Sequence, residues 1–235
     1  MRTIRSLPFL LALLALNAMP GGALAHAPSV TGADNTSPDR AVSLADPTLS
    51  RAIGATIGVP GEIDWFRMEL RAGDPLVVGM TAPDAEGTLP ASFVLLGPGL
   101  PEPALSGSRA ADLAARVGAT GALAFEPAAT PDRQVHAGLA FLNYGEVRRE
   151  APADGTYWIA VFAVDPAGTG KYVLAPGVRE EFGVDAVGGM ADLVGFFAAP
   201  WQASGPEAPA LREPDPVSSN GGAWTPGRGS TPVRL

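Results

Sequence analysis

His26 and His136 are the two histidines of this 235-residue chain. His26 follows Ala23-Leu24-Ala25, a tripeptide typical of a signal-peptidase cleavage site. Cleavage after Ala25 would make His26 the first residue, so that its α-amino group and its imidazole could bind copper together, with His136 as a further nitrogen ligand. The pattern gives two hypotheses: a copper site of the histidine-brace type, or an exposed terminal histidine and an unrelated strand histidine.

Acidic side chains suggest calcium as a second candidate metal. Asp34, Asp39 and Asp46 lie near the start of the chain, and Glu180-Glu181 follows the last strand-like segment. Calcium prefers six to eight oxygen ligands from flexible loops. No D-x-D-x-D-G loop occurs in the sequence, so solvated acidic segments are the competing interpretation.

The sequence lacks the residues that most common catalytic mechanisms require. The chain has no cysteine, no G-x-S-x-G nucleophile elbow, and one lysine, Lys171. Gly168-Thr169-Gly170-Lys171 has neither the spacing nor the following helix of a phosphate-binding loop. The sequence therefore favours a non-catalytic protein.

The first 25 residues are typical of a secretory signal. Arg2 and Arg5 precede the short apolar run of residues 7–16, which is too short to span a bilayer comfortably. We expect residues 1–25 to be removed and the mature protein to be periplasmic or extracellular. The formal charge of −8 then becomes −10, because the signal carries two arginines and no acid. This balance disfavours nucleic acid and anionic membrane surfaces as partners.

The rest of the chain divides by composition. Residues 26–45 are polar and predict an extended lead-in, and residues 46–182 show short strand-like runs between turns. Within that domain, residues 98–134 interrupt the rhythm as an insertion, in which Ser108 and Gly118 fit the two ends of a short helix. Residues 183–200 predict a short helix, and the Pro/Gly/Ser-rich residues 201–235 a disordered tail. The predicted fold is an all-β, antiparallel, jelly-roll-like β-sandwich.

The clearest strand pattern lies in residues 54–80, which predict a β-hairpin. Alternation places Phe66, Met68 and Leu70 on the core face and Trp65, Arg67 and Glu69 on the opposite face. If that opposite face is exposed, Trp65 and Arg67 form part of a platform for a sugar or a protein ligand. The alternative is that a second sheet or the helix of residues 186–200 covers Trp65.

The same alternation predicts the residues of the core. Residues 156–164 are apolar on both faces, as in a central strand that is covered on both sides. The predicted core consists of Ile57, Phe66, Met68, Leu70, Val78, Phe93, Leu95, Phe125, Leu139, Phe141, Ile159, Val161, Tyr172 and Leu174.

Three motifs in order resemble the bacterial pre-peptidase C-terminal (PPC) domain family over residues 48–182. The first is Gly61, Asp64, Trp65 and Phe66 followed by Ala72-Gly73-Asp74. The others are Gly155-Thr156-Tyr157-Trp158-Ile159-Ala160-Val161, similar to G-x-Y-x-[IV]-x-V, and the closing strand Gly170-Lys171-Tyr172-Val173-Leu174. The resemblance implies a jelly-roll-like sandwich of the kind found in secreted bacterial proteins.

Together these features predict a secreted, non-catalytic binding or accessory module whose partner is a protein or a cell-envelope polysaccharide. The alternative from another class is a copper-binding protein or copper oxidase that uses His26 and His136.

Overall fold

The computed structural model of the chain describes residues 27–32, 34–85, 87–102, 107–136, 139–180 and 184–201. The predicted signal peptide, His26 and the tail beyond Trp201 lie outside these ranges. The described elements are β1 (Ala27–Val30), β2 (Val42–Leu44), β3 (Arg51–Ile57), β4 (Ile63–Leu70), β5 (Pro75–Pro83), β6 (Ala91–Gly97), α1 (Arg109–Val117), β7 (Gly121–Phe125), β8 (Asp132–His136), β9 (Leu139–Glu150), β10 (Gly155–Ala163), β11 (Gly170–Pro176) and α2 (Val184–Ala198).

Two β-sheets pack face to face, which confirms the predicted all-β sandwich. A six-stranded sheet has the order β1-β3-β11-β5-β9-β8, and a five-stranded sheet has the order β2-β4-β10-β6-β7. The prediction of purely antiparallel pairing is wrong at two edges, because β1 pairs with β3 and β2 pairs with β4 in parallel. Both parallel strands come from the predicted lead-in, so residues 26–45 supply an edge strand to each sheet.

The predicted hairpin of residues 54–80 does not form. β3 and β5 lie in the six-stranded sheet, whereas β4 lies in the five-stranded sheet and pairs with β10. The chain crosses between the sheets at each of these short turns. Alternation shows which face of a strand is apolar, but it does not identify the neighbouring strand.

The core between the sheets follows the predicted alternation closely. All of the predicted core residues are buried there except Leu139 and Phe141. The side chain of Leu139 lies outside the described part of the structure. The prediction is wrong for Phe141, which packs on the outer face of the six-stranded sheet against α2, with its ring centroid 5.7 Å from that of Phe197.

A β-bulge explains the placement of Phe141. Met80 pairs with Gly145 and Thr81 with Asn143, so Tyr144 is an extra residue on β9. An extra residue reverses which side chains face the core on the two sides of the bulge. Leu142 therefore faces the core before the bulge and Val147 after it, which leaves Phe141 on the outer face.

Helix α2 is held on the outer face of the six-stranded sheet by the single lysine of the chain. The Lys171 Nζ donates hydrogen bonds to the carbonyl oxygens of Phe196 and Ala199, the latter at 2.6 Å, and lies 5.0 Å from the centre of the Phe196 ring. The last carbonyls of a helix lack partners within the helix, and a cation there is favourable. Burial lowers the pKa of Lys171.

A buried carboxyl group joins the two sheets through the core. Asp64 on β4 is 1% exposed, and its Oδ2 accepts a hydrogen bond of 2.6 Å from the Tyr172 hydroxyl on β11. Its Oδ1 has no hydrogen-bond partner among the described residues. Burial raises the pKa of Asp64 from 3.8 to about 7; the Tyr172 hydrogen bond opposes this rise, and the charge of Glu62 adds to it.

The Asp64→Asn variant is expected to lose part of the pH dependence of stability. Between pH 4 and 7 the folded wild type keeps the Asp64 proton that the unfolded chain releases, so its free energy of unfolding falls as the pH rises. The shift from 3.8 to about 7 corresponds to on the order of 4 kcal/mol. Urea unfolding of both proteins at several pH values measures the difference, which isolates Asp64 from the other carboxyl groups.

The Tyr172→Phe variant is the matched control. It removes the hydrogen bond that favours the charged carboxylate, so the fall in stability is expected to extend to higher pH. If Asp64→Asn and the wild type keep the same pH dependence, Asp64 is not protonated in the native core.

Candidate functional site

Trp65 is fully buried, so the predicted platform of Trp65 and Arg67 is wrong for Trp65. The insertion folds over it: α1 brings Leu113 and Ala114 into an apolar cluster with Trp65 and Ala160 on the outer face of the five-stranded sheet. Neither the second sheet nor the helix of residues 184–198 covers it. The segment before β2 lies alongside β4 here, because the backbone N–H of Trp65 donates to the carbonyl oxygen of Asn35 at 2.8 Å.

Trp158 is an aromatic residue that stays partly accessible on this face. Its side chain is half-buried, and its ring meets that of Trp65 edge-on, with 6.4 Å between centroids and 83° between planes. Trp158 pairs across strands with Arg67, which is exposed. Arg67 therefore lies on an accessible surface, as predicted, but its aromatic neighbour on that surface is Trp158 and not Trp65.

A recess of about 330 Å³ opens beside this ring, and we call it the Trp158 recess. It is lined by Gly97 and Pro98 at the end of β6, residues 117–120 at and after the end of α1, and Thr156 and Trp158 on β10. The lining thus combines one aromatic ring with threonine side chains and the backbone of short turns. Such a mixture of apolar surface and a few polar groups is typical of small-molecule and glycan sites.

Local sequence signals determine where α1 begins and ends. The Ser108 Oγ caps the helix by accepting from the Ala111 N–H at 3.2 Å, and Gly118 ends it in the left-handed conformation with φ of 65°. Both ends agree with the sequence prediction. On the other side of the recess, the Thr156 hydroxyl donates to the Glu69 carboxylate at 2.7 Å, which orients Thr156.

A second recess of about 280 Å³ lies along α1, from Arg109 to Arg116, and we call it the Arg109 recess. The Arg109 guanidinium carbon lies 4.3 Å from the centre of the Phe162 ring. Asp112 and Arg116 on the same helix face and residues 61–63 also line it. Arg109, Asp112 and Arg116 are exposed, so their polar groups are accessible to a ligand.

Sequence reasoning missed Trp158 because the strand from 156 to 163 is apolar on both faces, which predicts complete cover. Its outward row is Thr156, Trp158, Ala160 and Phe162, and α1 covers only the middle of this row completely: Ala160 is buried, whereas the others are half-buried. The sequence did contain one indication: the polar Thr156 lies on the same face of the strand as two large aromatic residues, Trp158 and Phe162.

The strands that carry the histidine positions lie at opposite edges of one sheet. His26 itself lies outside the described residues, but Ala27, to which it is bonded, begins β1, and His136 ends β8. Four strands separate β1 from β8, so about 24 Å of sheet lies between them at ~4.8 Å per strand. The strand order therefore argues against a copper brace made of His26 and His136 in one chain.

Several acidic side chains considered for calcium have other partners. Asp34 forms an ion pair with Arg40, and Asp46 accepts from Thr48 and from Arg179. The hydrogen bond from Thr48 is the main reason that the pKa of Asp46 is lowered. Glu181 lies outside the described residues. Across the described ranges, no three His, Cys, Asp or Glu residues are grouped so that they could hold a metal ion.

No family model matches the chain, and no curated protein matches it. Among solved structures, the chain is similar to CorA, described as a surface-associated copper-binding protein important in copper acquisition by Methylomicrobium album BG8, with 12% identity and a TM-score of 0.31. The match covers 59% of this chain and 98% of CorA. The resemblance to the PPC family stays a prediction.

None of the helices in the described ranges combines the length and the apolar character that crossing a bilayer requires.

The strand order predicts that His136 does not contribute to copper binding. In a calorimetric titration with Cu(II), the secreted and processed protein and its His136→Ala variant are expected to have dissociation constants that agree within about two-fold. A loss of affinity of about ten-fold or more in the variant would show that His136 takes part in copper binding and would contradict this prediction.

Proposed function

We propose that the protein is a secreted, non-catalytic binding module that holds a cell-envelope polysaccharide at the Trp158 recess. The observation that carries this proposal is a half-buried tryptophan in a recess of about 330 Å³ whose other walls combine two threonines with proline, valine, alanine and glycine residues. Secretion rests on the signal-like residues 1–25, and the module character agrees with the predicted PPC resemblance.

The chemistry of the recess suits a sugar ring. An aromatic ring offers a flat apolar surface on which the C–H face of a sugar can lie, while hydroxyl groups and backbone amides exchange hydrogen bonds with the sugar hydroxyls. Thr120 and Thr156 supply hydroxyls at the wall, and residues 117–120 supply backbone groups. Arg67, which pairs with Trp158 across the strands, lies on the side of β10 away from β6 and does not line the recess.

The fixed position of the ring is favourable for binding. Trp158 packs edge-on against Trp65, which is itself fully buried below α1. A ring that is already ordered loses little conformational freedom when a ligand arrives, so more of the contact energy is retained as affinity. The acidic character of the chain, with a formal charge of −8, disfavours nucleic acid as the polymer.

Replacement of Trp158 by Ala is expected to weaken polysaccharide binding by about ten-fold or more, because the stacking surface is lost. Affinity electrophoresis measures this through the retardation of the processed protein in gels that contain neutral envelope polysaccharide, mixed-linkage β-glucan or dextran. The Trp158→Phe variant keeps an aromatic face and is expected to retain part of the retardation.

Trp201→Ala is the matched control, because Trp201 is also half-buried but lies against Gly87, outside the Trp158 recess. It is expected to migrate like the wild type. The proposal is overturned if none of these polymers retards the wild type, or if the folded Trp158→Ala variant is retarded as strongly as the wild type.

A further inference from the structure

We infer that the Arg109 recess is a second subsite for the same polysaccharide, so that the module recognises a linear, uncharged glycan chain by two contacts at once. The inference rests on the proposed function, because the first contact is the Trp158 recess. A second subsite further specifies two properties of the ligand, its length and its chemical class.

The two recesses are aligned by one strand. Trp158 and Phe162 both point outward from β10 and are four residues apart, which corresponds to about 13 Å along a strand. α1 covers Ala160 between them; Arg109, Asp112 and Arg116 of the helix border one recess, and residues 117–120 border the other. A polymer that occupies both recesses must therefore run alongside α1, because the helix covers the direct path over Ala160.

The Arg109 recess offers polar groups suited to hydroxyls. Arg109 is stacked on the Phe162 ring, which holds the guanidinium plane in place and leaves its N–H edge for a ligand. Asp112 and Arg116 follow on the same helix face and supply an acceptor and further donors. A planar donor fork next to a carboxylate can bind neighbouring hydroxyl groups of a sugar, which act as acceptor and donor.

The charges of this recess favour an uncharged ligand over an acidic one. Two arginines face two carboxylates, Glu62 and Asp112, so the formal charges of the lining cancel. The Glu62 carboxylate already accepts from the N–H groups of Gly58 and Val59, at 2.8 and 2.9 Å. An anionic polymer would also approach a chain of formal charge −8, which repels it.

A ladder of mixed-linkage β-glucan oligosaccharides tests the second subsite on the processed protein. Calorimetry is expected to show wild-type affinity rising by roughly ten-fold or more once the oligosaccharide is long enough to reach both recesses, and then levelling off. In the double variant Arg109→Gln/Arg116→Gln this rise is expected to disappear, while the affinity for the short oligosaccharides stays unchanged. Arg148→Gln, an exposed arginine on β9 of the other sheet, is the matched control and is expected to keep the rise.

The possible outcomes separate the two proposals. If the double variant keeps the rise with length, the second subsite is wrong and the Trp158 recess stands. If Trp158→Ala leaves the affinity unchanged at every length, the proposed function itself is wrong. If polygalacturonate binds more tightly than the neutral glucan and is released by salt, the uncharged class is wrong.

Discussion

The hydrogen bond between Tyr172 and Asp64 sets one sheet against the other at a defined point. Apolar contacts between the sheets are non-directional, but this bond of 2.6 Å requires β11 and β4 to meet in a single alignment. β4 then carries Trp65 on its outer face and pairs with β10, which carries Trp158. The contact in the centre of the sandwich is therefore linked to the Trp158 recess through the pairing of β4 with β10, although neither Asp64 nor Tyr172 lines the recess.

Much of the fold could be predicted from the sequence, because local rules decide it. The core side of β4 followed from strict alternation through Phe66, Met68 and Leu70, which are all buried. Ser108 and Gly118 marked the ends of α1 because an N-terminal cap and a left-handed C-terminal residue have few alternatives. These signals concern one segment at a time and need no knowledge of its neighbours.

What could not be predicted depends on contacts between distant segments. A short turn after β4 looks the same whether the next strand pairs with it or crosses to the other sheet. One extra residue at Tyr144 reversed the facing of Phe141, and alternation alone does not reveal a bulge. The candidate site moved from Trp65 to Trp158 for the same reason, since the choice between them depends on where an inserted helix lies.

The single lysine has a practical consequence for work on this protein. Its Nζ is buried and bonded to two carbonyl oxygens at the end of α2, so reagents that modify primary amines meet a poor nucleophile there. The α-amino group is then the preferred point of attachment for amine-coupled labels and surfaces. Labelling of Lys171 would report that α2 has separated from the sheet.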